Sequence, residues 1–146
     1  MFIGQYIQKL NEKGRTALPV KFRREIGENA IVARWYEGCL VMVDLGNWQS
    51  LIERLTGRSE IITAPVRDTD RFILGSAFDV RFDRQGRFVI PKLLRVYAGL
   101  KDKVVFVGLG NRVEVWDKDA WDKREKVVQE TATGLVEKLA EEPRTK

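Results

Sequence analysis

Apolar and polar side chains alternate along two separate segments of the chain. Phe78, Val80 and Phe82 are separated by charged residues, and residues 6–10 repeat this pattern more weakly because Gln8 interrupts it. A period of two predicts a β-strand with one buried face in each segment. A polar link containing a glycine follows each strand, and a second short apolar run comes next. Since glycine adopts the positive φ of a tight turn, each segment predicts a β-hairpin.

The same order of signals continues after each predicted hairpin. A proline stands where a helix would begin and a glycine where it would end, which predicts one short helix per half: Pro19 with Gly27, and Pro91 with Gly99. Two further apolar runs predict a second hairpin in each half: residues 31–34 with 40–43, and residues 104–107 with 113–116. An amphipathic helix then closes each unit, with Asp44 and Asp117 at the predicted N-caps.

The chain matches itself at an offset of 72 residues, which indicates an internal duplication. Similar residues recur in the same order: Asn11–Arg15 over Asp83–Arg87, Pro19 over Pro91, Arg23 over Arg95, and Gly27 over Gly99. One inserted residue then raises the offset to 73, which aligns Val32 with Val105, Leu40 with Val113, Met42 with Val115, Asp44 with Asp117, and Trp48 with Trp121. Glycines, prolines and tryptophans that align in order favour a true duplication over chance.

Two segments break the repeat and set the expected boundaries. Residues 65–74 predict a linking helix with Phe72 and Ile73 inward, and the last helix, beginning near Lys118, runs further than its partner. Its apolar stripe can pack against its own repeat or a neighbouring subunit, and we favour the neighbour: Trp121, Val128, Ala132, Leu135 and Leu139. We expect a first repeat at 1–60, a linking helix at 61–74, a second repeat with its long helix at 75–140, and a tail at 141–146.

Composition places the chain among soluble globular proteins. Its 146 residues are 44% hydrophobic and 32% charged, which is enough for a core in one domain or two small ones. The longest apolar runs have about four residues, against about 20 for a membrane span, and the first residues lack the pattern of a secretory signal. We therefore expect a cytoplasmic protein with no membrane partner. The single cysteine, Cys39, is expected to be a small core residue.

Missing residue types exclude most catalytic chemistry. The chain has no histidine and one cysteine, which removes the commonest general base, histidine-activated nucleophiles and zinc sites. The glycine patterns of nucleotide-binding loops are also absent. A carboxylate-metal nuclease stays open, with Asp68, Asp70 and Asp79 as the nearest cluster, although Asp68 and Asp70 fit the polar face of the linking helix better. We expect no enzyme, no cofactor, no bound metal and no small-molecule substrate.

Positive charge is concentrated at two equivalent places. Residues 9–24 hold six basic side chains against Glu12, and residues 81–95 hold five against Asp83. These windows carry +5 and +4, whereas the whole chain carries a formal net charge of +5. If the repeats are related by pseudo-twofold symmetry, both windows can face one side, and such a basic surface binds a polyanion such as duplex DNA. Basic runs are often only solvated faces, so the recurrence is what favours a partner.

Arg15 and Arg87 directly follow the turn glycine in both copies. A planar guanidinium at this point can project toward a phosphate or a guanine edge. Asp83, four residues before Arg87, is expected to orient that guanidinium, and Asn11 occupies the equivalent position before Arg15 without adding charge. Five further basic side chains are predicted to contact the DNA backbone: Lys13, Lys21, Arg23, Arg84 and Lys92.

With these residues, the sequence resembles the MraZ proteins, bacterial transcriptional regulators of the AbrB-like superfamily. The similarity covers nearly the whole chain, including both turns and residues 91–100 and 110–116. The family pattern is an acid, three residues and an arginine in each repeat; residues 83–87 fit it, and residues 11–15 depart from it at Asn11. The resemblance implies an α+β fold of two tandem swapped-hairpin β-barrel repeats with pseudo-twofold symmetry and flanking helices. It also implies arginines that contact DNA and a ring of identical subunits.

We therefore predict a sequence-specific DNA-binding transcriptional regulator. The resemblance implies that it acts on short direct repeats upstream of the division and cell wall gene cluster, as a homo-oligomer associated with the nucleoid. Its expected partners are double-stranded DNA and further copies of itself. The alternative is an antitoxin-like or other protein-binding module of the same superfamily, without direct DNA recognition. Co-purification with a protein and no DNA affinity would favour that alternative, and magnesium-dependent strand cleavage would favour the nuclease.

Overall fold

The computed structural model describes residues 1–57 and 61–143, and both halves follow the same order of elements. The first half contains β1 (Phe2–Lys9), β2 (Arg15–Ala17), α1 (Val20–Ile26), β3 (Asn29–Arg34), β4 (Leu40–Val43) and α2 (Leu45–Ile52). A wide turn of π geometry (Glu53–Gly57) extends α2, and α3 (Ala64–Ile73) leads into the second half. The second half contains β5 (Phe78–Arg81), β6 (Arg87–Val89), α4 (Lys92–Tyr97), β7 (Lys103–Gly110), β8 (Val113–Asp117) and α5 (Lys118–Glu141). Residues 58–60 of the expected first repeat and 144–146 of the expected tail lie outside the described residues.

Both halves contribute strands to one antiparallel sheet, which corrects the expectation of a separate barrel in each half. Six strands lie in the order β1-β7-β8-β4-β3-β5, and β2 and β6 form a second sheet of two strands. Each half therefore lends a strand to the other, because β1 pairs with β7 and β5 pairs with β3. Among the described strands, β1 and β5 form the two edges of the larger sheet, so its hydrogen bonds do not close it into a barrel.

The first predicted hairpin of each half forms only its turn. The amide of Asn11 donates to the carbonyl of Arg15 at 3.0 Å, and the amide of Asp83 donates to that of Arg87 at 3.0 Å. Beyond these bonds the strands separate, since β1 pairs with β7 and β2 pairs with β6. An alternating pattern identifies a strand and its buried face but not its partner, so the hairpin prediction was wrong about the pairing. The second predicted hairpin is confirmed in both halves, as β3 with β4 and β7 with β8.

Strand pairing relates the two halves by a pseudo-twofold axis. Thr16 lies opposite Phe88 across β2 and β6, and Val41 lies opposite Glu114 across β4 and β8. Each pair joins a position to its own equivalent in the other repeat. Such self-paired positions occur where a twofold axis passes between two strands, so the axis runs through both sheets.

The pairing also corrects one step of the sequence alignment. Gln8 of β1 lies opposite Val104, and Val80, its equivalent in β5, lies opposite Ala30. Ala30 and Val104 are therefore equivalent, so the offset between β3 and β7 is 74 residues. The equivalent of Val32 is therefore Phe106, not Val105. The connection before β7 is two residues longer than its counterpart, and the connection after β7 is one residue shorter, so a single insertion could not describe this region.

Helices cover both faces of the larger sheet. One face packs against α1, α4 and the two-stranded sheet, with Phe22, Leu94 and Phe106 fully buried. The other face packs against α2, α3 and the first turns of α5. Burial on both faces explains the apolar runs within β3, β4 and β7. Glu114 interrupts the run in β8, and the edge strand β5 alternates. Phe78, on the predicted buried face of β5, is nevertheless 38% exposed at this edge.

Cys39 lies in the second core cluster and is buried, which confirms its interpretation as a core residue. Its Sγ donates to the carbonyl of Tyr36 at 3.3 Å. Burial, with the nearby Glu114 carboxylate, raises the pKa of the thiol. Cys39 is therefore held as a neutral thiol in the core.

The long helix α5 leaves the body of the protein after its first turns. Trp121 packs against Trp116, with ring centroids 5.4 Å apart. The rest of the predicted stripe is exposed to solvent: Val128, Ala132, Leu135 and Leu139. This part of the helix therefore does not pack against its own repeat. None of the helices in residues 1–57 and 61–143 combines the length and apolar character needed to cross a bilayer.

Candidate nucleic-acid interface

The two-stranded sheet of β2 and β6 places the two turn arginines on one face. Arg15 lies opposite Val89, and Thr16 lies opposite Phe88. Since opposing residues of an antiparallel pair share a face and neighbours along a strand alternate, Arg15, Arg87 and Val89 project together. All three are exposed, whereas Thr16 and Phe88 are buried on the other face. As diagonal neighbours, the two arginines begin on the order of 7 to 8 Å apart and can reach one ligand surface.

Both turns have the same backbone geometry. Asp83 Oδ1 accepts hydrogen bonds from the amides two and four residues further on, each at 2.9 Å. Asn11 Oδ1 accepts the equivalent two bonds at 3.0 and 2.8 Å. Gly14 and Gly86 hold φ values of +82° and +76°, which confirms the predicted turn glycines. A side-chain oxygen at the first position therefore organises each turn, whether it belongs to an amide or a carboxylate.

The turns differ in how they hold the arginine side chain. Arg87 Nε donates to Asp83 Oδ2 at 2.7 Å, and both side chains remain partly exposed. The backbone N–H of Arg87, and then its side chain, lower the pKa of the Asp83 carboxyl. No carboxylate among residues 1–57 and 61–143 forms an ion pair with Arg15. Asp83 therefore contacts both the turn backbone and the side chain of its arginine, whereas the two Asn11 bonds go to the backbone alone.

Four of the five side chains predicted to contact the DNA backbone are exposed. Two lie in the turns and two on the helices that follow β2 and β6: Lys13 and Arg84, then Lys21 and Lys92. Their repeat equivalents are not basic: Gln85, Glu12, Leu93 and Val20. These four basic positions are therefore not shared by the two halves, whereas the turn arginines recur in both.

Arg23, the fifth predicted contact, is placed differently from the other four. It is half-buried, and its Nε donates to the carbonyl of Leu18 at 2.9 Å. Its equivalent, Arg95, donates in the same way to the carbonyl of Ile90 at 2.9 Å. DNA contact by Arg23 stays a prediction, while the structure gives this side chain a packing role. Sequence reasoning did not single out Arg95, although its alignment with Arg23 was the available signal.

Two of the three acidic residues considered for a nuclease have other partners. Arg71 Nη1 donates to Asp68 at 2.8 Å, and Thr56 Oγ1 donates to Asp70 at 3.1 Å. Asp79 lies on a different element, β5. In the part of the chain that the structure describes, no three His, Cys, Asp or Glu side chains are grouped so that they could hold a metal ion.

One family model matches each half of the chain separately. A family model described as "MraZ protein, putative antitoxin-like" matches residues 1–72 and again residues 73–141. These two matches, together with the paired topology, confirm the internal duplication. A solved structure, the solution structure of PHS018 from Pyrococcus horikoshii, is 19% identical with a TM-score of 0.32, covering 79% of this chain and 88% of that one. That likeness is too weak to support any inference about the fold.

Curated relatives match this chain over nearly its whole length. A "Transcriptional regulator MraZ" from Acetivibrio thermocellus is 39% identical over 141 residues, which cover 96% of this chain and 97% of the relative. A protein of the same name from Syntrophomonas wolfei is 36% identical over 141 residues, covering 97% and 98%. Another from Natranaerobius thermophilus is 34% identical over 142 residues, covering 97% and 96%. The chain therefore belongs to the MraZ family, whose matched relatives are named as transcriptional regulators and not as enzymes.

Proposed function

We propose that this chain is a sequence-specific DNA-binding regulator of transcription, acting on repeated boxes upstream of the division and cell wall gene cluster. One observation carries the proposal: Arg15 and Arg87 project from one exposed face of a sheet that has pseudo-twofold symmetry. The names of the relatives support a regulator of transcription. The proposal places the protein in the cytoplasm, associated with the nucleoid.

In this proposal the second turn reads bases. Asp83 accepts a hydrogen bond from the Nε–H of Arg87. The terminal nitrogens of the guanidinium stay available to donate two parallel hydrogen bonds to guanine O6 and N7. Arg15 enters the same groove from the other turn. Lys13, Lys21, Arg84 and Lys92 contact phosphates and set the register of the protein on the duplex.

The proposal also includes a ring of identical subunits. The exposed apolar residues on the outer half of α5 support it, because a face of this kind is stabilised by contact with another subunit: Val127, Val128, Leu135, Val136 and Leu139. A ring would present many identical turns to repeated DNA boxes, and simultaneous contacts would raise affinity through effective concentration.

The exchanged strands support the relation to the swapped-hairpin fold of the AbrB-like superfamily, with the barrel opened in this chain. Under the proposal the repeats occupy residues 1–60 and 75–140, the linking segment occupies residues 61–74, and the tail occupies residues 141–146.

Selection from a random duplex library across a salt series tests the function. A specific regulator enriches a preferred box, and the logarithm of its affinity falls with the logarithm of salt by about 0.9 for each phosphate neutralised. Binding with that slope but no enriched box would reduce the proposal to non-specific DNA binding. No affinity for duplex, together with a co-purifying protein, would instead establish the antitoxin-like alternative that the family description includes.

A further inference from the structure

Besides the turn arginines, one further arginine recurs in each repeat, as Arg23 and Arg95, and its side chain contacts the opposite repeat. Arg23, on α1, packs so closely over Gly86 that a Cβ at this glycine would lie 2.4 Å from Arg23 Nε. Arg95, on α4, packs over Gly14, where a Cβ would lie 2.5 Å from Arg95 Nε. Each guanidinium therefore occupies the space that a side chain at the turn glycine would fill.

Backbone hydrogen bonds join the same partners. The amide of Leu18 donates to the carbonyl of Gly86 at 2.8 Å, and Arg23 Nε donates to the carbonyl of Leu18 at 2.9 Å. The turn around Gly86 is thus held from the first repeat by one residue of the chain after β2 and by one arginine of α1. The second repeat holds the first turn in the same way, since the amide of Ile90 donates to the carbonyl of Gly14 at 2.8 Å.

We propose that Arg23 and Arg95 are positioning residues for the turns that contact DNA, and that each acts on the turn of the other repeat. Arg23 sets the turn that carries Arg87, and Arg95 sets the turn that carries Arg15. The inference rests on the proposed function for its consequence in DNA recognition. The contacts themselves lie within the protein, so they can be tested with and without DNA.

The contact requires an arginine because of its shape as well as its charge. The Nε–H lies within the flat guanidinium, so one group can donate to a carbonyl and pack against the glycine together. A lysine keeps the positive charge but has neither the Nε–H nor the flat surface. Arg23→Lys therefore distinguishes positioning from phosphate contact, because a phosphate contact tolerates lysine.

Hydrogen exchange on the full chain, without DNA, is the first experiment. In Arg23→Lys we expect the amides of the turn at residues 83–87 to exchange about tenfold faster, while those at residues 11–15 do not change. Arg95→Lys should show the reverse. Arg24→Lys, at an exposed position of the same helix, is the matched control, and unchanged exchange in residues 40–43 verifies that each variant is folded. Unchanged exchange at both turns, or faster exchange only in the turn of the same repeat, would overturn the proposal.

Double-mutant cycles on the selected DNA box form the second experiment. The losses of binding free energy from Arg23→Lys and Arg87→Ala should be strongly non-additive, because both variants remove the contribution of the same turn. The losses from Arg23→Lys and Arg15→Ala should be additive. Coupling within each repeat, or no coupling at all, would contradict the crossed arrangement. If the wild-type chain binds no duplex, the proposed function fails, and the exchange experiment alone still decides whether these arginines position the turns.

Discussion

The two repeats build the same turn from different side chains. Asn11 and Asp83 both accept two backbone hydrogen bonds, but only Asp83 has a second oxygen that holds its arginine. The helix N-caps also differ between the repeats, and again the second repeat makes the additional side-chain hydrogen bond. Asp44 and Asp117 both occupy the predicted N-cap positions, but only the side chain of Asp117 accepts a capping hydrogen bond, from the amide of Ala120. One side-chain oxygen orders the backbone of each turn, and the second oxygen of Asp83 holds the side chain of Arg87.

The largest expected effect comes from removing the turn arginines. Arg87→Ala should remove discrimination between the preferred box and unrelated duplex, at a cost of about 1 to 3 kcal/mol for a lost bidentate contact. Arg15→Ala should cost less discrimination, because its guanidinium is not held by an acid. Footprinting and competition binding at one salt concentration measure both variants. Equal losses would remove the functional contrast between the turns, and an unchanged footprint for Arg87→Ala would refute its assignment.

The next effect concerns the helix caps. Asp117→Ala should lower the free energy of unfolding by about 1 to 2 kcal/mol, because it removes an N-cap and leaves a buried site without its acceptor. That carboxylate also accepts from the amide of Lys101 at 3.2 Å. Asp44→Ala should change stability by less than about 0.5 kcal/mol. Urea unfolding of both variants makes the comparison, and a larger loss for Asp44→Ala would reverse it.

Changing the first residue of either turn, Asn11 or Asp83, should make the two turns alike. Asp83→Asn keeps an oxygen for the backbone but removes the ion pair with Arg87, so box affinity should fall about two- to fivefold, as expected for an exposed pair. Asn11→Asp should hold Arg15 and raise affinity by a similar or smaller factor. Circular dichroism provides the control, because both turns should remain folded. If Asn11→Asp weakened binding, a mobile Arg15 would be preferred at the first turn.

Acid should produce the smallest effect, and its direction follows from Asp83. Its pKa is lowered in the folded protein, so the stabilisation it gives is complete above the ordinary aspartate pKa of about 3.9 and is lost as the pH falls below it. The difference in unfolding midpoint between wild type and Asp83→Asn should therefore be constant from about pH 5 to pH 7 and disappear in stronger acid. A difference that persisted in strong acid would mean that the ion pair is not its source.

Local structure could be predicted from the sequence wherever a residue type determines its own backbone. Glycines at 14 and 86, the helices after Pro19 and Pro91, and the second hairpin of each half all have local physical causes. The turn oxygens of Asn11 and Asp83 belong to this class, and so does the ion pair to Arg87, because its partners are four residues apart.

Contacts between the repeats could not be predicted in this way. Which strand β1 would pair with depended on packing between residues more than 90 apart along the chain, for example Lys9 with Lys103. The same limit hid the inward position of Arg23, because an arginine on a short helix looks like any solvated base until the opposite turn is in place. A prediction from charge alone therefore placed Arg23 with the exposed basic side chains, although the structure shows it half-buried.

The partner of β1 has a consequence for biosynthesis. Phe2 pairs with Gly110, so β1 has no partner in the sheet until β7, about 100 residues further along the chain, has been translated. Sheet formation must wait for this late segment, and a nascent chain arrested near its midpoint would present apolar strands that nothing covers. Truncated translation products of this protein should therefore be aggregation-prone and rapidly degraded.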